Sequence, residues 1–100
     1  MGRYEVKIYP AAQEDLREIV VYLNTLSPQA ALRYYDLLTE KIESLTELPE
    51  RCPLAKDIQL RLRGYRVLPV EAYLVFYMVC GTAVQIRRIL YARRQYEGLL

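Results

Sequence analysis

The apolar positions of this chain follow a spacing of two, then a helical spacing, then a spacing of two again. "YEVKIY" (Tyr4–Tyr9) alternates, with Val6 and Ile8 on one face, and predicts a half-buried strand. Pro10 suits the first turn of a helix, where its missing N–H costs nothing. Ala12, Leu16, Ile19, Val20 and Leu23 then recur at helical spacing and predict a helix over about Pro10–Asn24. Glu14, Asp15, Arg17 and Glu18 fall mostly off that stripe and read as a solvated face that also complements the helix dipole.

"SPQAALRYYDLLTEKIESLTELP" predicts a second helix, with Ser27 as N-cap, Pro28 as first helical residue and Pro49 marking the exit. Ala31, Tyr34 or Tyr35, Leu38, Ile42 and Leu45 form its apolar stripe. The short link between the helices favours an antiparallel hairpin. Glu50 to Arg63 reads as a connecting segment. Three strands follow: "YRVLPV" (Tyr65–Val70), with Pro69 pointing to an edge; "YLVFYMV" (Tyr73–Val79), apolar throughout and so central; and "AVQIRRILY" (Ala83–Tyr91), after a turn at Gly81.

The order β–α–α–β–β–β predicts an α+β fold. It is a small antiparallel-type sheet with the N-terminal helix hairpin packed on one face and the other face left for function. Leu16, Ile19, Leu38, Ile42 and Phe76 are the expected core. With no Gly- or Ser-rich linker and no repeat, residues 1–100 read as a single domain.

Composition narrows the function classes. Slightly over half of the 100 residues are apolar and about a quarter are charged, which is globular composition. No apolar run reaches the ~20 residues of a membrane span, and neither helix has the basic polar face of a membrane-surface segment. "MGRYEVKIYP" lacks the apolar stretch of a signal peptide, so the expected compartment is the cytoplasm. Cys52 and Cys80 have no ligand-like spacing and the chain contains no histidine. No metal site and no cofactor are expected, and the thiols read as buried or idle.

Charge is divided unevenly. Residues 1–50 hold five Lys/Arg against nine Asp/Glu, a net of −4; residues 51–100 hold nine against three, a net of +6. Eight of those nine cations are arginine, the side chain suited to bidentate contact with phosphate or carboxylate. The densest stretch is "IRRILYARRQYEGLL", where Arg87, Arg88, Arg93 and Arg94 surround Tyr91. An anionic partner and plain solubilisation of a small sheet both account for this. Arg88 has the further bland use of pairing with a carboxylate on a neighbouring strand. The ten tyrosines fit base stacking, and fit equally well as packing residues with a wet hydroxyl.

The element order, "PERCP" after the second helix, "GYRVLPVEAYLVFYMV" and the ending "IRRILYARRQY" together resemble the ParE/RelE superfamily of type II toxin–antitoxin modules. The resemblance covers almost the entire chain. It implies a toxin that arrests growth unless neutralised by a cognate antitoxin. It also implies one of two targets: the ribosome with its mRNA, cut by RelE-like endoribonucleases, or DNA gyrase, poisoned by ParE-like members through binding.

Cleavage of RNA through its 2′-hydroxyl needs a proton acceptor, cations for the phosphorane and a donor for the leaving oxygen. Without histidine the proton carrier would be Tyr, Lys, Glu or the ribosome-bound RNA itself; Tyr91 and Tyr96 sit among the arginines, but an ordinary phenol pKa near ~10 makes a poor base unless cations lower it. Against the RelE-like pattern, Arg66 fits one cationic position, but Leu68 and Leu74 stand where two others belong; Arg93 or Arg94 keeps the last. "RILYARR" resembles the ParE-like pattern better, through Arg88, Ile89, Leu90 and Arg94, with Tyr91 in place of the usual histidine.

Arg66, Arg88, Tyr91, Arg93 and Arg94 are therefore the candidate target-binding residues, expected on one cationic surface with few carboxylates nearby. Arg66, Arg88, Tyr91 and Arg94 would be the catalytic set of a nuclease. A non-toxic interaction module with the same fold stays open beside both readings.

Overall fold

The computed structural model describes residues 3–93 and 99–100. Strand β1 (Glu5–Ile8) leads into helix α1 (Pro10–Leu26) and, across Ser27, into helix α2 (Pro28–Glu43). Ser27 Oγ accepts the N–H of Ala30, the N-cap contact that its position before Pro28 predicted. Two short 3-10 turns and a short helix, α3 (Ile58–Leu62), connect to β2 (Arg66–Val70), β3 (Tyr73–Cys80) and β4 (Ala83–Tyr91).

The four strands lie in the order β1-β4-β3-β2. β2, β3 and β4 pair antiparallel, as expected, whereas β1 pairs parallel to β4, so the sheet is mixed rather than wholly antiparallel. The helix hairpin lies between β1 and the later strands in the chain and supplies the long connection that a parallel pair needs. β2, with Pro69, is an edge, and β3 is internal.

Both faces of the sheet are covered. On one, Ala12, Leu38, Ile42 and Leu45 meet Val70, Tyr73, Val75, Tyr77, Val84, Ile86 and Ile89. Leu16 and Ile19 pack against that core but stay partly exposed. On the other face, Ala55, Leu60 and Tyr65 cover Phe76 and Leu90. The face expected to be left for function thus carries a second core, with Phe76 in it rather than beneath the hairpin. Its cover is α3, which the sequence reading took for a connector. Asp57 Oδ1 caps that helix by accepting the N–H groups of Gln59 and Leu60.

β4 contains the irregularity that decides where its side chains point. Tyr77 pairs with Ile86 and Phe76 with Arg88, so Arg87 is an extra residue, a β-bulge. Before it, Val84 and Ile86 face the helices; after it, Ile89 does. Without the bulge Arg88 would enter the helix-side core. The apolar spacing 84, 86, 89 already breaks the period of two at this point.

Tyr77 ties the long connection to the sheet. Its hydroxyl donates to the Pro49 carbonyl at 2.6 Å, deep in the core. Burial, and after it the contact with Cys52, raises the phenol pKa. The folded chain therefore holds this proton more tightly than the unfolded one. The associated stability is complete below the ordinary phenol pKa near ~10 and is lost as pH rises through that value towards the folded one. Tyr77→Phe should cost about 1–3 kcal/mol at neutral pH, because the Pro49 carbonyl loses its donor. It should also lose less stability than the parent between pH ~8 and ~10.5, as followed by urea unfolding.

Candidate functional site

Five residues were expected to share one cationic surface, and the sheet divides those it describes. Arg66 has the same parity on β2 as Leu68 and Val70, so it points to the helix side. There its guanidinium donates to the carbonyls of Cys52, at 2.7 Å, and Glu50, at 3.3 Å. Arg88 pairs with Phe76 and starts from the opposite face. Arg66 and Arg88 consequently do not converge. Arg93 is exposed just beyond β4, and Arg94 lies outside the described residues, as does Tyr96.

Arg88 meets a carboxylate of its own chain, on helix α1 rather than on a neighbouring strand. Its Nε and Nη2 donate to the two Asp15 oxygens at 2.7 and 2.9 Å, and its Nη1 donates to the Leu99 carbonyl at 2.8 Å. Asp15 also accepts the backbone N–H of Ile89 at 2.9 Å. β1 ends opposite Ile86, so β4 has no strand partner on that side from there onward. Asp15 takes the place of the missing strand. The carboxyl side chain is 8% exposed and the Arg88 side chain 19%. The fork contact with Asp15 raises the Arg88 pKa, burial opposing it. Asp15 is therefore no part of a solvated helix face, which corrects the sequence reading of α1.

Arg87, the bulge residue, lies over the rings of Tyr9 and Tyr65, its guanidinium carbon 4.7 and 5.9 Å from their centroids. The dense arginine stretch thus has two of its charges answered inside the molecule, one by a carboxylate and one by aromatic faces.

Tyr91 stands apart from Arg88. It shares the parity of Ile89 and lies edge-on to Tyr73, with ring centroids 5.9 Å apart. Tyr73 in turn meets Tyr34 edge-on at 5.5 Å. The Tyr34 hydroxyl donates to Glu71 Oε1, and Arg33 makes a two-pronged contact with the same carboxylate. Burial raises the Tyr73 pKa, and after it the phenols of Tyr34, Tyr91 and Tyr22 do so. These rings, with Asp15, Glu18, Ile19, Leu23, Ala72, Ile89 and Leu90, line a groove of about 600 Å3 between α1 and the far ends of β3 and β4.

The sequence reading missed this groove. Its signal was a tyrosine near the end of each of α1 and β4, near the start of β3 and in the first half of α2, ends that the topology brings together. A smaller groove of about 310 Å3, lined by Ile8, Leu16, Val20, Val21 and Tyr35 with Gln13 and Arg17, opens where α1 and α2 meet β1. Among the described residues, no group of three or more His, Cys, Asp or Glu side chains is arranged to hold a metal ion. Cys52 is buried and Cys80 exposed, both as free thiols. No described helix is long and apolar enough to cross a membrane.

Residues 6–96 match the pattern of a family described as the ParE toxin of the type II toxin–antitoxin system parDE. The chain belongs to the ParE toxin family. Toxin RelE1 of Caulobacter vibrioides is 28% identical over 96 residues, spanning 92% of this chain and 97% of the relative. A chain of a solved chromosomal ParDE toxin–antitoxin system from P. aeruginosa has the same fold. It gives a TM-score of 0.78 at 22% identity, over 91% of this chain and 98% of that one.

In this ParE-family chain the Asp15–Arg88 pair is a structural element, and its loss should be severe. Asp15→Ala leaves Arg88 without its carboxylate and the Ile89 N–H without an acceptor. The expected cost is about 3–5 kcal/mol, a large share of the ~5–15 kcal/mol that holds a domain of this size. Asp15→Ala combined with Arg88→Met should cost clearly less than the two single changes added together. Urea unfolding of all four chains of that cycle measures the coupling.

Proposed function

We propose that this ParE-family toxin arrests growth by gripping DNA gyrase without cutting a substrate, and that a cognate antitoxin silences it. One observation carries the choice of binding over catalysis. Tyr91, the candidate proton carrier nearest the arginines in sequence, projects on the helix side beside Tyr73, while Arg88 starts from the other face and is bound to Asp15. Arg66 is committed to two backbone carbonyls. Leu68 and Leu74, at the positions where a nuclease of the superfamily would want cations, pack into the two opposite cores.

The surface proposed for the target is the arginine end of the molecule at Arg93 and Arg94. Ribosome-dependent cleavage of mRNA is the second reading, and the cations kept at those two positions are what favour it. For the antitoxin, the apolar groove beside Val20, Val21 and Tyr35 and the outer edge of β1 offer the helix-in-groove and strand-addition modes. Val21 is 53% exposed and Leu32 67%, costly apolar surface to leave in water.

Induced expression of the chain alone should stop growth, and co-expression of a cognate antitoxin should restore it. Arg93→Gln with Arg94→Gln should abolish arrest while leaving the fold and antitoxin binding intact; Arg93 is exposed beyond the last strand. DNA breaks and a damage response in the arrested cells would identify gyrase. Truncated messages and an early halt in translation, lost on Tyr91→Phe, would instead establish the ribonuclease. Harmless, abundant, monomeric chain would establish the non-toxic module.

A further inference from the structure

The tyrosine-lined groove between α1 and the ends of β3 and β4 has no role in the fold just described, and its chemistry is selective. Four phenol rings contribute to it, Tyr22, Tyr34, Tyr73 and Tyr91. Tyr22 is 61% exposed and Tyr91 46%, so both offer surface to a visitor. Among the described residues that line it, the two charged side chains, Asp15 and Glu18, are both acidic, and Asp15 is already matched by Arg88. Glu18 is exposed at the rim. The remaining wall is apolar: Ile19, Leu23, Ala72, Ile89 and Leu90.

Ring faces are negative, and rings beside a carboxylate in a partly dry groove attract a cation more than either does alone. The same cluster already shows this attraction within the chain, since Arg33 lies 4.6 Å over the centroid of Tyr34. The edge-to-face contacts of Tyr34, Tyr73 and Tyr91, with the Tyr34 hydroxyl held by Glu71, fix the rings in place beforehand. Little ordering cost is then left for binding.

We propose that this groove takes an arginine or lysine side chain, carried on an otherwise apolar segment of the antitoxin, with Glu18 as counter-ion and Tyr22, Tyr73 and Tyr91 as the ring surface. The antitoxin as occupant rests on the toxin reading above; the cationic selectivity of the groove does not. Charge complementarity supplies the argument for the occupant. Among the described residues that line the groove, the charge not held in an ion pair is that of Glu18 and the polar surface is phenolic, which disfavours an acidic segment. An apolar segment has no counterpart for Glu18.

The test uses the intact chain with its tyrosine rings isotopically labelled, titrated with acetylated and amidated tetrapeptides Leu-Arg-Ile-Leu, Leu-Lys-Ile-Leu and Leu-Gln-Ile-Leu. Both basic peptides should shift the Tyr22, Tyr73 and Tyr91 ring resonances, and the glutamine peptide should bind about fivefold more weakly or worse. Glu18→Gln with Tyr22→Leu, both at exposed positions, should remove that preference without changing the unfolding midpoint by more than a small amount. Equal binding of the three peptides, or shifts confined to the groove beside Val21 and Tyr35, would overturn the proposal. Co-purified antitoxin should dissociate at least fivefold faster from the double variant. An unchanged rate would overturn the antitoxin as occupant. Failure of the toxin reading shows separately, as absence of growth arrest by the unmodified chain.

Discussion

A strand of nine residues lies beside one of four, and the remainder of the longer strand must be covered. That constraint organises the molecule. β4 continues past the end of β1, and the N–H of Ile89 on its outer side would otherwise point to a site from which α1 excludes water. Asp15 answers it and holds Arg88 with the same carboxylate. One buried acid thereby joins α1 to the sheet, fixes the depth of the helix along β4 and neutralises a guanidinium beside the core. An apolar residue at position 15 would satisfy neither the backbone nor the cation. This is why a charged pair is retained where charge burial is expensive.

The bulge at Arg87 works with this pair. It changes the parity of β4 by one residue, so Ile89 packs under the helices while Arg88 starts from the other face. The extra residue itself lies over Tyr9, immediately before α1 begins. The start of the helix and its first buried acid are thus both held by consecutive residues of one strand. On the opposite side of the groove, Glu71 has a left-handed backbone (φ 55) in the turn between β2 and β3. A non-glycine residue there costs about 1–2 kcal/mol. Its carboxylate compensates by binding Arg33 and Tyr34 of α2. Both ends of the hairpin stripe are therefore tied to the sheet by acid–arginine contacts between residues far apart in sequence.

The element order, the helix caps and the central place of Tyr73–Val79 were legible because they follow from local spacing and from Pro10, Ser27, Pro28 and Pro69. The parallel pairing of β1 was not, since strand direction depends on where the hairpin carries the chain. α3 was hidden because five residues are too few to show a helical period, although Asp57 two residues after Ala55 was a usable cap signal. Asp15 was misread because periodicity sorts residues by helix face and cannot tell which polar residue borders a strand edge. The break in spacing at 84, 86 and 89 was present in the sequence, but Ala83–Tyr91 was read as an unbroken strand, so the change of parity at Arg88 was missed.

Counting charges overstated the reach of the arginine-rich half, and the reason is chemical. A guanidinium has five N–H donors in a fixed plane, so it can tie down irregular backbone as well as grip an anion. In this fold that is where much of the arginine goes. Arg51 donates to the carbonyls of Ser44 and Glu47, Arg61 to that of Ala55, and Arg66 to those of Glu50 and Cys52. Arg63 and Arg87 lie over the ring of Tyr65. The long connection from α2 to β2 has little regular structure to satisfy its carbonyls, and the arginines supply the donors. Those charges still add to the field of the molecule, but part of their hydrogen-bonding capacity is spent inside the chain and their positions are set by the fold. Arg93, exposed just beyond β4, is the described arginine proposed to meet the target. The ring-lined groove, built from residues of both halves, is by contrast proposed to take a cation. Tyr91 of the groove and Arg93 are two residues apart, so the surfaces proposed for the inhibitor and for the target adjoin at one end of β4.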